Sequence, residues 1–147
     1  MTLPSARVIA VNRALADCGL AMYTTLFGSA YPFSYDLGEL AQYFIAYRRL
    51  ISHWQKVAAD QMITTSYEAF VSDPLAQGRR VAEHLGVAWS DAMVRIEDNP
   101  TGSATASAVQ VRQPIHTGAS GRWRRYRAQL SVLWDALEAA GIDPAHS

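Results

Sequence analysis

The sequence predicts an α/β domain with parallel strands, and three observations support this fold class. Arg7–Asn12 and Met62–Tyr67 are short, β-branched apolar runs of the kind found in buried parallel strands. Segments with helical periodicity separate and follow these runs, as expected for an α/β chain. Two strands are too few for a parallel sheet with both faces covered, so the remaining strands are expected to lie elsewhere.

The first strand is predicted at Arg7–Asn12 because its apolar residues are nearly continuous. Ala14–Phe27 is rich in Ala, Leu and Met, which predicts a helix ending at Gly28. Gly28–Tyr35 is predicted to be a loop.

The longest predicted helix begins after Asp36, which is placed as its N-cap with Glu39 three residues later. An apolar stripe then recurs at intervals of three and four residues for about six turns. It comprises Leu40, Phe44, Tyr47, Ile51, Trp54 and Ala58. The spacing predicts one amphipathic helix across this region.

In the second half of the chain, capping residues and glycines predict where the helices begin and end. Asp73 before Pro74 predicts the start of a helix that ends at Gly86. The remaining predicted elements are a short helix within Trp89–Glu97, a long loop over Asp98–Gly121, and a last helix carrying Leu130, Leu133, Trp134 and Leu137 that stops near Gly141.

Composition excludes several classes of protein. The chain has 147 residues, 13 Lys plus Arg and 13 Asp plus Glu, with half its residues apolar, which fits one globular domain. No apolar run approaches the roughly 20 residues of a spanning helix, and Met1–Arg7 lacks the pattern of a secretory signal. A cytoplasmic protein without membrane contact is therefore expected. Cys18 is the single cysteine, and the histidines have no ligand spacing, so neither an internal disulfide nor a metal site is expected.

The basic residues are concentrated in one segment. Between Thr101 and Arg127 there are five arginines and no acidic residue. A nucleic-acid-binding domain is more often basic throughout, so this segment favours a discrete phosphate-bearing ligand and no nucleic acid. A helical nucleic-acid binder using Arg122–Arg127 would explain the charge but not the strand patterns.

Several residues are candidates for ligand binding, each with a plainer alternative. Arg13 directly follows a strand, where ligands of open α/β sheets bind, or it is a solvated residue opening a helix. Four arginines flank a Ser-, Thr- and Gly-rich loop suited to phosphate oxygens, or they belong to a solvated helix start; they are Arg112, Arg122, Arg124 and Arg125. Tyr67 would stack on a base or close the core. The sequence contains no Gly-x-x-x-x-Gly-Lys-Ser/Thr phosphate loop and no Gly-x-Ser-x-Gly motif.

Several motifs taken together resemble bacterial sulfotransferases, in particular those associated with tetratricopeptide repeats and similar to tyrosylprotein sulfotransferases. The resemblance covers nearly the whole chain, and its most specific part is Gln110–Tyr126. The motifs are Arg7-Val8-Ile9 to Arg13, Phe33-Ser34-Tyr35-Asp36-Leu37, Ser66-Tyr67-Glu68 with Asp73-Pro74, Gln110-Val111-Arg112-Gln113-Pro114-Ile115, and Gly121-Arg122-Trp123-Arg124-Arg125-Tyr126.

The resemblance implies a P-loop NTPase-like fold, with residues 1–147 forming the C-terminal portion of a single three-layer, helix-rich sulfotransferase domain. It also implies that 3′-phosphoadenosine 5′-phosphosulfate (PAPS) is the donor, with no metal. Arg13 resembles the family arginine that holds the 3′-phosphate, although Ala21 stands where the family usually has a serine. Tyr67 resembles the tyrosine that contacts adenine. The implied nucleotide-binding residues are Arg13, Tyr67, Ser107, Gln110, Arg112, Gln113 and Arg122.

The departures from the family affect catalysis. The family's phosphate loop and its general base both lie upstream of the strand at Arg7, so no catalytic residue is assigned in this sequence. The implied reaction is sulfuryl transfer from PAPS to a hydroxyl or phenol, with a separate chain or an upstream segment supplying the phosphate loop. The alternative is a non-catalytic module that binds an adenine nucleotide or another anion. Either form would expose a sheet edge through which the chain could form homo-oligomers.

Overall fold

The computed structural model describes residues 5–98 and 115–146, apart from the side chain of Glu97. Its strands and α-helices follow the predicted order, with one additional short helix after the second strand. They are β1 (Val8–Asn12), α1 (Leu15–Thr24), α2 (Leu37–Val57), β2 (Met62–Ser66), α3 (Tyr67–Ser72), α4 (Pro74–Leu85) and α5 (Ser131–Ala139), with 3-10 turns at Pro32–Tyr35, Asp91–Val94, Ile96–Asp98 and Arg122–Tyr126. Within these ranges no helix has both the length and the apolar character needed to cross a membrane.

The two strands form a parallel pair, which confirms the predicted α/β class. Val8 lies opposite Met62 at one end of the pair, and Asn12 lies opposite Ser66 at the other. The carboxyl ends of β1 and β2 are therefore level. Residues that directly follow these strands emerge at the same edge of the sheet, which is where open α/β sheets bind ligands. A three-layer arrangement stays a prediction, because the described residues contain only this pair of strands.

The helix α4 begins and ends where its caps predicted. The Asp73 carboxylate accepts a hydrogen bond from the N–H of Ala76 at 3.0 Å, and Pro74 occupies the first helical position. Gly86 ends the helix in a left-handed conformation with φ of 70°, which glycine adopts without a steric penalty. Local signals were sufficient here because capping depends on neighbouring residues.

A buried apolar core joins α1, α2 and α5. The predicted cap of α2 is confirmed, since Asp36 accepts a hydrogen bond from the N–H of Glu39 at 2.8 Å. The core residues are Leu15, Leu20, Leu40, Ala41, Phe44, Ile45, Leu130, Leu133 and Leu137. Cys18 and Trp123 are partly buried against them. The last helix thereby fixes the segment that contains Arg122.

Three boundaries differ from the sequence prediction. The helix α1 ends at Thr24 instead of Phe27, and the Thr24 and Thr25 hydroxyls donate to backbone oxygens of the preceding turn at 2.7 and 2.6 Å. The second strand ends at Ser66, whose hydroxyl accepts from the N–H of Ala69 and begins the unpredicted helix α3. The short helix predicted at Trp89–Glu97 is instead a pair of 3-10 turns.

The second half of the α2 stripe is not buried by the described residues. Leu40 is fully buried, whereas Trp54 is 48% exposed and Val11 of β1 is 55% exposed. Between β1 and α2 lies an apolar cavity of about 520 Å³. We call it the β1 groove; it is lined by Val8, Ile9, Ala10, Val11, Tyr47, Ile51, Trp54, Ala58 and Met62.

The strand β1 pairs with β2 along one edge and has a second edge that faces away from β2. Val8 donates its N–H to the Gln61 oxygen on the β2 side at 2.7 Å. Alternate residues of a parallel strand bond to the same neighbour, so Ile9 and Val11 direct their backbone groups to the other edge. Within the described ranges that edge carries no further strand.

Candidate nucleotide-binding site

Arg13 and Tyr67 lie together at the carboxyl edge of the sheet. They directly follow Asn12 and Ser66, the last residue pair of the two strands. The guanidinium carbon of Arg13 lies 4.6 Å from the centre of the Tyr67 ring. Arg13 also donates to the Ala119 carbonyl oxygen at 2.6 Å, which ties this edge to the loop before Arg122. Tyr67 is the first residue of α3 and does not end β2, contrary to the prediction.

Glu68 fixes the backbone beside Arg13. One oxygen of its carboxylate accepts the N–H of Ala14 at 3.0 Å, and the other accepts the Ser66 hydroxyl at 2.9 Å. The carboxylate thereby caps the start of α1 from the neighbouring helix α3. This contact holds the ends of β1 and β2 at a fixed separation, and with them the side chains of Arg13 and Tyr67.

Asp17 positions the segment that contains Arg122. Its side chain is buried, and its two oxygens accept hydrogen bonds from the N–H groups of Gly121 at 2.5 Å and Trp123 at 3.0 Å. Gly121 has a φ of 75°, so the chain turns there through a conformation that favours glycine. Sequence analysis missed Asp17. The available signal was an acidic residue inside the apolar run from Leu15 to Leu20.

A small cavity of about 40 Å³ brings the two candidate phosphate-binding arginines together. We call it the arginine cavity; its lining is Arg13, Asp17, Leu20, Ala21, Thr24 and Arg122. Ala21 stands where the resembled family usually has a serine, and the Thr24 hydroxyl, one turn further along α1, lines the same cavity. In the structure the Thr24 hydroxyl donates a hydrogen bond to the Leu20 carbonyl oxygen at 2.7 Å.

The arginine cavity is less positive than the charge count along the sequence suggested. The segment Thr101–Arg127 contains no acidic residue, but the fold brings the Asp17 carboxylate into contact with it. Two guanidinium groups and one carboxylate leave a net positive charge. Both carboxylate oxygens are already bonded to backbone N–H groups, so the arginines are the groups available to an anion.

The remaining predicted site residues lie outside the described ranges. Ser107, Gln110, Arg112 and Gln113 belong to residues 99–114, so their predicted roles stay predictions. Cys18 borders the site but is a poor nucleophile, because burial raises the pKa of its thiol above the ordinary value of 9.0 despite the nearby Arg13. Over residues 5–98 and 115–146 no cluster of His, Cys, Asp or Glu is suited to a metal ion.

The parallel strand pair and its helices define an α/β class of protein, and sequence comparison specifies the family. The chain belongs to the sulfotransferase family, whose sequence profile matches residues 1–91. This match includes Arg13 and Tyr67, whereas Arg122 lies beyond it. A tetratricopeptide-repeat association has no support from the comparison.

One relative is similar across most of the chain. It is an uncharacterized protein of Aquifex aeolicus (strain VF5), 25% identical over 141 residues. The alignment covers 94% of this chain but only 18% of the relative. The chain therefore spans less than a fifth of the length of that relative.

Proposed function

We propose that this chain forms part of a sulfotransferase domain that transfers a sulfuryl group from PAPS to a hydroxyl or phenol acceptor. The observation that carries the proposal is the meeting of Arg13, Tyr67 and Arg122 at the carboxyl edge of the parallel strands. Family membership supports a sulfotransferase-type domain over a non-catalytic binding module.

The arginine cavity is suited to the 3′-phosphate of the donor. Arg13 and Arg122 provide guanidinium groups that form charge-assisted hydrogen bonds with phosphate oxygens. Tyr67 provides an aromatic face for adenine beside the same cavity. Ser107, Gln110, Arg112 and Gln113 are proposed to close over the nucleotide, as the family resemblance implies.

The β1 groove is suited to the part of the domain that would supply the phosphate loop. Its strand edge has backbone groups directed away from β2, and its walls are apolar. We propose that an upstream segment or a separate chain adds a strand there, which would place a phosphate loop at the same carboxyl edge as Arg13.

Nucleotide binding is tested by thermal unfolding with 3′-phosphoadenosine 5′-phosphate, the desulfated donor. At 100 times Kd, a ligand that binds only the folded state stabilises it by about 2.7 kcal/mol. That corresponds to a rise in Tm of about 5 to 10 °C for a domain of this size. We expect Arg13→Ala and Arg122→Ala to lose most of the rise.

Arg80→Ala is the matched control, because Arg80 is exposed on α4, away from the arginine cavity. It should retain the full rise in Tm. An unchanged Tm for the parent chain, or equal losses in all three variants, would contradict the proposed nucleotide site.

Catalysis is tested separately. Sulfate transfer from radiolabelled PAPS would be measured with the chain mixed with a polypeptide that carries a sulfotransferase phosphate-loop strand. Activity that requires both polypeptides and is lost in Arg13→Ala supports the proposal. Nucleotide binding without activity in any such pairing would contradict the catalytic part alone.

A further inference from the structure

A second basic cavity lies between α2 and α5, on the other side of α2 from the β1 groove. Its volume is about 430 Å³. We call it the α2–α5 cavity; it is lined by Ile45, Arg48, Arg49, Ser52, His53, Lys56, Ala140 and Ile142. Arg48 also lines a cavity beside Arg13, but the proposed sulfotransferase site uses none of Arg49, His53 and Lys56.

Helix geometry places the basic side chains together. Arg48, Ser52 and Lys56 are spaced by four residues and form one row along α2, while Arg49 and His53 form the adjacent row. At about 100° per residue, these rows face away from the stripe of Tyr47, Ile51, Trp54 and Ala58 that lines the β1 groove. The positive face therefore does not serve the packing of α2 against β1.

The basic cluster is not neutralised by the rest of the described chain. Arg79 pairs with Asp91 at 3.4 Å, and Arg95 pairs with Asp98 at 2.9 Å. By contrast, no ion pair joins Arg48, Arg49 or Lys56 to any residue in 5–98 or 115–146. Like charges on one helix face repel each other by a few tenths of a kcal/mol per pair. A bound anion would remove that repulsion.

Capping of α5 does not account for the cluster either. Basic side chains often bond to the last carbonyl groups of a helix. Here the last carbonyl oxygens of α5 already accept backbone N–H groups. Glu138 accepts from Gly141 at 2.9 Å, Leu137 accepts from Ile142 at 2.9 Å, and Ala136 accepts from Ala140 at 3.3 Å. These oxygens therefore do not require the basic side chains of α2 as partners.

We propose that the α2–α5 cavity is a second anion-binding site, for a small molecule that carries a phosphate or sulfate ester. Guanidinium and ammonium groups match the several oxygens of such esters. The cavity volume lies within the range of small-molecule sites, and Ile45 and Ile142 add an apolar wall for the organic part of the ligand. A concave site of this size favours a small ligand over the extended surface of a nucleic-acid duplex.

The test uses isothermal titration of the full chain with inorganic pyrophosphate and, separately, with inorganic sulfate. The binding variant is Arg49→Ala/Lys56→Ala, which leaves Arg48 intact because Arg48 also lines a cavity beside Arg13. We expect this variant to bind the preferred anion at least ten-fold more weakly, and Arg80→Ala to bind it within two-fold of the parent chain. Tighter binding of pyrophosphate indicates a phosphate ester as the natural ligand, and tighter binding of sulfate indicates a sulfate ester.

Three results would overturn the proposal. The first is no binding of either anion. The second is a loss in Arg80→Ala as large as in Arg49→Ala/Lys56→Ala, which indicates only general charge attraction. The third is tighter binding of a DNA duplex than of pyrophosphate, with the same dependence on Arg49 and Lys56. That result would indicate that the natural ligand is a polyanion and not a small molecule. Weaker anion binding by Arg49→Ala/Lys56→Ala together with a failed nucleotide test at Arg13 would support the second site and contradict only the proposed nucleotide site.

Discussion

The guanidinium group of Arg13 lies over the ring of Tyr67, with 4.6 Å between its central carbon and the ring centre. This cation–π contact orients an arginine that the strand alone would leave free to move, because Arg13 is the first residue after β1. One face of Tyr67 is occupied by Arg13, so a base would stack on the remaining surface of the ring. Substitution of either residue should therefore also change the contact that the other makes with a shared ligand.

Tyr67→Ala should therefore weaken binding of 3′-phosphoadenosine 5′-phosphate by about ten-fold or more, since stacking of a base on an aromatic side chain contributes about 1 to 3 kcal/mol. Tyr67→Phe keeps the ring and should bind within about two-fold of the parent. Isothermal titration of both variants measures this difference. Equal losses in the two variants would indicate that the phenol hydroxyl, and not the ring, is what matters.

Asp17→Ala should destabilise the chain by about 2 to 5 kcal/mol, because a buried carboxylate that accepts two N–H groups is removed and both donors lose their partner. Asp17→Asn retains one side-chain oxygen and should lose about half as much. Urea unfolding gives the free energies. A loss below about 0.5 kcal/mol for Asp17→Ala would show that the Arg122 segment does not depend on this contact.

Val11→Lys should reduce self-association of the chain. Val11 is 55% exposed on the edge of β1 in the β1 groove, and a lysine on an edge strand opposes pairing with another strand. The control is Val132→Lys, because Val132 is similarly exposed, at 57%, but lies on α5. Sedimentation velocity over a concentration series measures the effect. The homo-oligomer proposal fails if the two variants behave alike.

Cys18 should contribute stability that is lost in alkali. Burial raises the pKa of its thiol in the folded chain, so the folded state holds this proton more tightly than the unfolded state. The contribution is complete below the ordinary pKa of 9.0 and decreases as pH rises from there through the higher pKa of the folded state. The free energy of unfolding should fall more steeply above pH 9 in the parent than in Cys18→Ala.

The same thiol gives an independent readout at neutral pH. Burial raises the pKa of the Cys18 thiol and so lowers its thiolate fraction, and iodoacetamide should therefore label the folded chain more slowly than the unfolded chain. Because Cys18 is the single cysteine, no other thiol contributes to the rate. Labelling at similar rates with and without urea would contradict its burial.

Local signals predicted the helices better than they predicted the site. Asp73 and Pro74 begin α4 and Gly86 ends it, and each acts on the adjacent turn, so the sequence contains all that is needed to place the helix. The sequence predicted too long a helix α1, because residues that favour helices continue past Thr24 and Thr25. The hydroxyls of these two threonines instead donate to backbone oxygens of the preceding turn, where the helix ends. The strand pattern also extended through Tyr67, although Ser66 caps a new helix there.

The candidate site was only partly predictable, because its contacts join residues far apart in the chain. The resemblance to sulfotransferases selected Arg13, Tyr67 and Arg122 individually, but no spacing reveals that Asp17 bonds to Gly121. That bond joins residues 104 positions apart. Periodicity also could not predict that the α2 stripe is partly exposed. A repeat of apolar residues indicates that a helix face is to be covered, but not which part of the protein covers it.

The hydrogen bond from Ala14 to Glu68 has a consequence for how the chain folds. It joins residues 54 positions apart, so the first turn of α1 receives its cap only after β2 has paired with β1. Closure of that long loop costs entropy before any bond compensates for it. Refolding of this helix-rich chain should therefore be slower than that of a helical bundle of the same size, with α1 and the strand pair gaining structure in a single kinetic phase.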